Sequence, residues 1–363
     1  MIVPVPIPEN RYEVLIARKG FQALARRLGS LKLGSSAFVV TNPNIKKICG
    51  KTFCDAMNSA GIAVLFYTIP AAERSKSVEY YIRTVEAVAR FSAKKRPFIA
   101  ALGGGVVGDL AGFVAATYKR GIPYVQIPTT LLAQVDSAIG GKTAVDLPSG
   151  KNMLGAFYQP RLVYENIDLL TSLPARQIRS GLAEIIKYGV IYDAELFARL
   201  ERNYQTIGTA DPAALLPVIK RSVEIKAHVV AADERETGGL RSILNFGHTI
   251  GHALETATAY AKFTHGEAIA IGMQCAADVA VRLELLPDAA AARIEQLLQR
   301  YGLPVSTAAI SHARILRAFF NDKKFIRGTI RMVLPTRIGH VLVAENIPLK
   351  TVKSVLQKRV SGV

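Results

Sequence analysis

Short apolar segments rich in β-branched residues alternate with helical segments in the first half of this 363-residue chain. Parallel strands need crossover connections, usually helices, and so this alternation is typical of a parallel sheet covered by helices on both faces. We therefore predict an α/β domain. The predicted strands cover residues 12–17, 37–41, 62–69, 97–102 and 124–127, and the predicted helices cover residues 45–60 and 78–91.

The second half of the sequence has a different pattern. Its apolar residues mostly recur at intervals of three and four, which is the helical period, over long stretches such as 213–232 and 289–301. A short strand is predicted at 329–334. The sequence thus predicts an α/β domain over residues 1–172 and a mainly α-helical domain over residues 173–363.

Composition limits the kind of protein this is. Half of the residues are hydrophobic, enough for a buried core, and 46 Lys and Arg against 28 Asp and Glu give a net charge of +18. That charge favours an anionic partner. We expect a small anionic molecule and no nucleic acid, because no known nucleic-acid-binding motif is present. The longest apolar tract, 98–116, is broken by Asp109 and glycines, and so we expect no membrane span and a cytoplasmic protein.

A glycine-rich turn follows the predicted strand at 97–102. Gly103, Gly105 and Gly108 fit the pattern G-x-G-x-x-G, directly before a helical segment. Glycines let the backbone approach a pyrophosphate closely, and the N–H groups at a helix start attract the anion. The alternative is a tight turn needed only for packing. The turn comes after several strands, which departs from the usual dinucleotide-binding order.

Residues 128–152 contain several glycines, the hydroxylated Thr129 and Thr130, and two lysines, Lys142 and Lys151. This composition suits a loop that wraps a phosphate, with the lysines as point charges. A solvated surface loop is the alternative.

Three of the six histidines, His248, His252 and His265, fall within 18 residues of one another. Upstream, Glu184 and Lys187 share one helical face. One Glu and two His form a familiar catalytic zinc set, although the spacing does not decide which two histidines bind. The alternative is core histidines with Glu184 paired to Lys187.

Taken together, these motifs resemble those of the 3-dehydroquinate synthases. The resemblance extends from about residue 41 to residue 347, and so many segments in the same order are more specific than any one motif. The strongest segments are GGGVVGDLAGFVAATYKRG (103–121), PTTLLAQVDSAIGGKTAVDLPSGKNMLGAF (128–157), GLAEIIKYG (181–189), DERETGGLRSILNFGHTIGHALE (233–255) and HGEAIAIGM (265–273).

The resemblance implies a dehydroquinate synthase-like fold with an N-terminal nucleotide-binding domain and a C-terminal metal- and substrate-binding domain. It implies Zn²⁺, with Co²⁺ as the alternative, held by Glu184, His248 and His265. NAD would be bound by Asn42, Glu73, Lys76, Gly104, Gly105, Val106, Val107, Gly108, Asp109, Thr129, Thr130, Lys142, Lys151 and Ser172. The substrate would meet Asp136, Lys142, Asn152, Lys187, Lys226, Arg241, Asn245, His252 and one of Lys323 or Lys324. Arg120 would reach across the interface of a homodimer.

The implied reaction converts 3-deoxy-D-arabino-heptulosonate 7-phosphate to 3-dehydroquinate and phosphate. It proceeds by transient oxidation with NAD, β-elimination of phosphate, re-reduction and intramolecular aldol closure. Several positions depart from the family pattern. Asn42 replaces an acid, Ser172 a threonine, Asp146 an asparagine and Gln177 a glutamate, and the turn at Gly238 and Gly239 is one residue longer. Three alternatives stay open: a sister cyclase that makes an inosose or a valiolone, a metal-dependent polyol dehydrogenase, and a basic nucleic-acid-binding protein.

Overall fold

The computed structural model describes residues 1–93, 95–321 and 330–361. The chain divides into two compact units. The first comprises Met1–Leu173 together with Lys226–Arg235, and the second comprises Pro174–Ile225 and Glu236–Val363. The predicted boundary at residue 172 therefore assigns residues 226–235 to the second domain, although they group with the first unit. Within the described residues, no helix has both the length and the apolar character needed to cross a membrane.

The first unit is built from strands and helices that alternate along the chain. The elements are β1 (Ile2–Val5), β2 (Tyr12–Ala17), α1 (Gln22–Leu31), β3 (Ser36–Thr41), α2 (Pro43–Ser59), β4 (Ala63–Thr68), α3 (Val78–Ser92), β5 (Pro97–Gly103), α4 (Gly105–Thr117), β6 (Tyr124–Pro128), β7 (Lys142–Leu147), β8 (Gly150–Phe157) and β9 (Leu162–Asn166). Within the described residues, seven of the strands form one sheet in the order β1-β2-β9-β6-β5-β3-β4. In this sheet β1 and β2 pair antiparallel and the other neighbours pair parallel. The α/β class predicted from the sequence is confirmed.

Helices cover both faces of this sheet because its central strands are apolar on both sides. In β3, Val39 packs in a core with Phe53 of α2, while its neighbour Val40 packs in the opposite core with Leu110 of α4. Adjacent strand residues point to opposite faces, and burial on both faces is typical of parallel sheets. The carboxyl ends of β3, β5 and β6 consequently lie side by side at one edge of the sheet.

The last part of the segment predicted as a phosphate-wrapping loop forms a β-hairpin. β7 and β8 pair antiparallel across a turn at residues 148–149. Gly155 lies so close to β7 that a Cβ there would come within 2.2 Å of the Thr143 carbonyl oxygen. Thr143, Ala144 and Val145 are buried in succession in β7, and Thr143 and Val145 are β-branched, a residue type enriched in strands. The glycines and lysines of this segment predict a loop, and for residues 142–152 that prediction is wrong.

The second unit is mainly helical, as predicted, with short strands towards its end. Its longest helix, α8, carries Pro217 inside it, and the last residues of α8 group with the first unit. The elements are α5 (Ala175–Ile191), α6 (Ala194–Arg202), α7 (Tyr204–Gly208), α8 (Pro212–Ala232), α9 (His248–Ala257), α10 (His265–Arg282), α11 (Asp288–Arg300), β10 (Thr307–Ala308), α12 (His312–Asn321), β11 (Met332–Arg337), β12 (His340–Ala344), α13 (Leu349–Arg359) and β13 (Val360–Ser361).

Glycines allow three helices of the second unit to approach closely. A Cβ on Gly272 of α10 would lie 1.9 Å from the Gly247 carbonyl oxygen, directly before α9. A Cβ on Gly266 would lie 2.3 Å from the Ser180 carbonyl oxygen of α5. Since real Cβ atoms do not approach so near, the main chains of α5, α9 and α10 can be this close only with glycine at these positions.

One carboxyl group in the first unit is buried without a partner. Glu165, in β9, has no exposed surface, and neither of its side-chain oxygens has a hydrogen-bond partner within the described residues. Burial raises the pKa of Glu165 well above its ordinary value, because an isolated charge is costly to bury. The folded chain therefore holds this proton to a higher pH than the unfolded chain does.

We predict that Glu165→Gln gains stability relative to the parent protein as the pH rises. Above the unfolded pKa of about 4.3, unfolding lets Glu165 ionise, and the parent loses up to about 1.4 kcal/mol for each pH unit until the folded pKa is reached. The glutamine variant lacks this titration. Thermal unfolding followed by circular dichroism at pH 5 and pH 8 measures the difference. Glu9→Gln, at an exposed position, should follow the parent, and parallel pH dependence of parent and Glu165→Gln would contradict the prediction.

Candidate metal centre and dinucleotide site

Three potential metal ligands meet in the second unit. Glu184 lies on α5, His248 is the first residue of α9 and His265 is the first residue of α10. The Nε2 atoms of both histidines lie 3.4 Å from Oε1 of Glu184. One ligand atom from each residue can be chosen so that all lie within 4.8 Å of one another. The close helix contacts at Gly266 and Gly272 create this convergence.

The other nitrogen of each imidazole has a partner of its own. Nδ1 of His248 lies 3.0 Å from the Phe246 carbonyl oxygen, and Nδ1 of His265 lies 3.4 Å from Oε2 of Glu255. Such contacts fix the ring orientation and tautomer of a metal-binding histidine. Both rings thus present Nε2 towards Glu184. Sequence reasoning missed Glu255, although its place three residues after His252 on a helix puts it on the same face.

The negative charge of this group lies on the carboxylate of Glu184, which has no exposed surface. The ammonium of Lys187 contacts Oε2 of Glu184. Burial raises the pKa of Glu184. This ammonium and the two imidazoles outweigh burial and hold that pKa well below its ordinary value. Burial and Lys187 lower the pKa of His248. Burial also lowers the pKa of His265, but hydrogen bonds to Glu184 and Glu255 outweigh it and raise that pKa to about 10.

The donor set fits a divalent transition metal. Neither oxygen of Glu184 has a well-directed hydrogen bond within the described residues, despite complete burial. A buried carboxylate oxygen facing two Nε2 atoms, whose rings are oriented from behind, is the arrangement expected of a two-histidine, one-carboxylate site. Such a set leaves coordination positions for water or substrate.

Other predicted substrate residues of the second unit lie near this group or are buried. The ring of His252 has its centroid 5.2 Å from that of His248 and 6.0 Å from that of His265. Arg241 is buried in the short helix Leu240–Asn245. Nδ2 of Asn245 lies 3.5 Å from Oε1 of Glu236. Lys323 and Lys324 lie outside the described residues.

The predicted glycine turn joins β5 to α4 in the first unit. Gly104 is the residue before the helix, and the first turn of α4 contains no acid, so its N–H groups and helix dipole favour an anion. A Cβ on Gly104 would lie 3.1 Å from Cγ2 of Thr130, and one on Gly108 would lie 2.8 Å from Oε1 of Gln126. The hydroxyl of Thr129 is buried without a hydrogen-bond partner within the described residues. This cradle fits a dinucleotide pyrophosphate.

Lysines predicted for cofactor or substrate are held by acids or an amide of the same unit. Lys76 contacts both Asp109 and the side-chain oxygen of Asn152. Lys226 contacts Asp136. Lys151 Nζ lies 2.9 Å from Oε1 of Glu73. The structure thus brings together seven of the predicted residues as three ionic groups: Lys76, Asp109 and Asn152; Asp136 and Lys226; and Glu73 and Lys151.

Other predicted residues of the first unit have local roles or exposed positions. Asn42 caps α2, accepting from the Ile45 N–H at 3.0 Å, and the Ser172 hydroxyl donates to the Leu169 carbonyl. Arg120 is exposed and, like Lys119, has a left-handed backbone, with φ of 65° and 50° respectively. Lys142 is exposed at the start of β7, and Val106 and Val107 lie in the first turn of α4.

Two solved sugar cyclases are similar to this chain over nearly its whole length. The 2-epi-5-epi-valiolone synthase from Streptomyces hygroscopicus subsp. jinggangensis, with NAD⁺ and Zn²⁺ bound, has a TM-score of 0.85 and 28% identity, covering 96% of each chain. A 2-deoxy-scyllo-inosose synthase complexed with carbaglucose-6-phosphate, NAD⁺ and Co²⁺ has a TM-score of 0.85 and 25% identity, covering 99% of this chain and 100% of the other. The fold and the site therefore define an enzyme of the cyclase type.

Sequence comparison identifies the family within that class. The family model described as 3-dehydroquinate synthase N-terminal matches residues 66–180, and the one described as 3-dehydroquinate synthase C-terminal matches residues 181–325. A curated 3-dehydroquinate synthase from Nostoc punctiforme is 45% identical over 359 residues, covering 98% of this chain and 99% of the relative. The chain belongs to the 3-dehydroquinate synthase family.

We predict that His248→Ala loses stoichiometric zinc, because Nε2 of His248 is one of three donors in the group. Zinc content by plasma mass spectrometry, after dialysis against a weak chelator, provides the measurement. His228→Ala removes an exposed histidine of α8 and should retain zinc at the parent level. Full zinc occupancy in folded His248→Ala would exclude His248 as a ligand.

Proposed function

We propose that this protein converts 3-deoxy-D-arabino-heptulosonate 7-phosphate to 3-dehydroquinate and phosphate, as a phosphate-eliminating carbon–oxygen lyase that uses NAD and a divalent metal. The observation that carries this proposal is the buried group of Glu184, His248 and His265 in a chain of this family. Support for both cofactors comes from the solved cyclases with bound NAD⁺ and Zn²⁺ or Co²⁺.

In this proposal the metal is held by Glu184, His248 and His265, and it acts when bound as a Lewis acid that lowers the pKa of a substrate hydroxyl. Lys187 keeps Glu184 ionised, as a ligand must be. The contacts from Phe246 and Glu255 keep both Nε2 atoms directed at the ion.

NAD, held at the glycine turn, supplies a reversible hydride acceptor, and the residues of the chain position the reactants and compensate charge. The turn at Gly104 and Gly105 offers N–H groups to the pyrophosphate. Lys76, already bound to Asp109, adds a positive charge beside the turn without leaving a buried cation unpaired. These groups bind and orient the coenzyme and take no proton from the substrate.

Cationic side chains match a substrate that carries both a phosphate and a carboxylate. Arg241, Lys187 and Lys226 are buried at 2%, 1% and 6% exposure. A guanidinium offers paired donors that fit a carboxylate, and so Arg241 favours an acid substrate over the sugar phosphates of the sister cyclases. The 45% identity to a dehydroquinate synthase, against 28% and 25% to those cyclases, favours the same choice.

Two further points remain proposals. A homodimer in which Arg120 reaches the neighbouring site agrees with the exposure of that residue, and light scattering on the purified protein would test it. A cytoplasmic location and the absence of a nucleic-acid partner stay predictions from the sequence.

We predict that the protein, supplied with NAD and Zn²⁺, releases phosphate from the seven-carbon acid phosphate while no NADH accumulates. Because the transient oxidation is reversed within each turnover, phosphate should accumulate with time while the concentration of NADH should not rise. A coupled phosphate assay and the absorbance of the reduced coenzyme measure them. Sustained NADH formation would indicate a polyol dehydrogenase, and turnover of glucose 6-phosphate alone would indicate an inosose synthase. Salt-sensitive DNA binding without catalysis would indicate a nucleic-acid-binding protein.

We also predict that Lys142→Ala lowers kcat by about 100-fold or more while the fold is retained, because an ammonium that stabilises developing charge is removed. Lys51→Ala, a matched loss of an exposed lysine on α2, should keep parent kinetics. Unchanged kinetics in Lys142→Ala would place that residue away from the substrate.

A further inference from the structure

The imidazole of His265 faces a second group of potential metal ligands with its other nitrogen. His252 and Glu255 lie three residues apart on one face of α9, and Nδ1 of His265 lies 3.4 Å from Oε2 of Glu255. One ligand atom from each of these three residues can be chosen so that all lie within 4.8 Å of one another. His265 therefore belongs to two groups, this one and the first group of Glu184, His248 and His265.

The distance between Nδ1 of His265 and Oε2 of Glu255 is that expected of two ligands of one metal ion. N–H···O hydrogen bonds are usually about 2.7–3.2 Å long. Two ligand atoms that each lie about 2.1 Å from a tetrahedral Zn²⁺ are about 3.4 Å apart. The contact to Glu255 has this length, and so does the contact between Nε2 of His265 and Oε1 of Glu184. Both sides of the ring thus have the ligand spacing of a tetrahedral centre.

The second group also has the charge and the access that a cation requires. Glu255 is buried, and a buried carboxylate is costly unless a positive charge or hydrogen-bond donors compensate it. His252 and His265 are both partly exposed, so an ion can reach the group from solution. The main chains of α9 and α10 lie close together here, since a Cβ on Gly251 would come within 3.0 Å of Cα of Ile269. The backbone therefore holds the three side chains in place.

We propose that His252, Glu255 and Nδ1 of His265 form a second binding site for a divalent transition metal ion such as Zn²⁺, filled after the first group. Two imidazoles and one carboxylate are the same donor set as in that group. When both sites are filled, each nitrogen of His265 binds one ion, and the proton of Nδ1 passes to water. Repulsion between the ions makes the second binding step the weaker one. This inference goes beyond the proposed function, because it concerns metal binding and is independent of the substrate.

The test is equilibrium dialysis of the parent protein against a series of free Zn²⁺ concentrations, with bound zinc measured by plasma mass spectrometry. We expect two ions per chain, bound in two steps, with a second Kd at least about tenfold above the first. Dialysis against a weak chelator should then remove the second ion and leave the first in place.

Two variants should each bind a single ion. His252→Ala removes a ligand of the second site alone, so the second step should disappear while the first keeps its Kd. Glu255→Gln preserves the shape of the side chain but removes its charge, and should also abolish the second step. It should weaken the first step by about 10- to 100-fold, because the contact that orients His265 is altered. His228→Ala, at an exposed position of α8, is the matched control and should bind two ions.

Two results would overturn the inference. A parent protein that binds one zinc ion over the whole concentration range has no second site. A second ion bound with unchanged affinity by His252→Ala or by Glu255→Gln is held elsewhere on the chain, as an adventitious ion only. Both results leave the proposed function standing, since that proposal is tested by the release of phosphate from the substrate.

Discussion

An ionised carboxylate without exposed surface is the constraint around which the helical unit is organised. Burying such a charge is unfavourable unless cations or donors surround it. Glu184 meets this requirement through Lys187 one turn along its own helix and through imidazoles from α9 and α10. The helices α5, α9 and α10 must therefore each place a side chain at the same point. The electrostatic demand of this one side chain is met by residues of three helices.

The α/β unit meets a different demand, the binding of an anion by the main chain. Its glycine turn opens α4 with N–H groups directed outwards, and the positive charges nearby are held in pairs with acids, as Lys76 is with Asp109. Paired charges avoid a strong positive field at this site. One unit therefore stabilises its site with a buried negative charge, and the other with backbone donors and balanced ion pairs.

The sequence predicted the fold class and most of the central strands, because apolar runs and helical periodicity are local signals. It also predicted the residues that converge on Glu184, although the spacing of the histidines left three possible pairs and the family resemblance was needed to select among them. The β7–β8 hairpin was missed because its glycines and lysines are typical of a loop, whereas only two residues of β7, Thr143 and Val145, are β-branched. Glu255 was missed because its role depends on an inter-helix contact to His265, and contacts of that kind have no signature in a single segment.

The contact between Gly247 and Gly272 sets the separation of α9 and α10 by main-chain atoms alone. A separation fixed in this way does not vary with the size of the side chains elsewhere on the two helices. Those side chains can diversify over evolution while the distance between the first residues of both helices is preserved. The range of ionic radii that the metal centre accepts is therefore set by this main-chain contact.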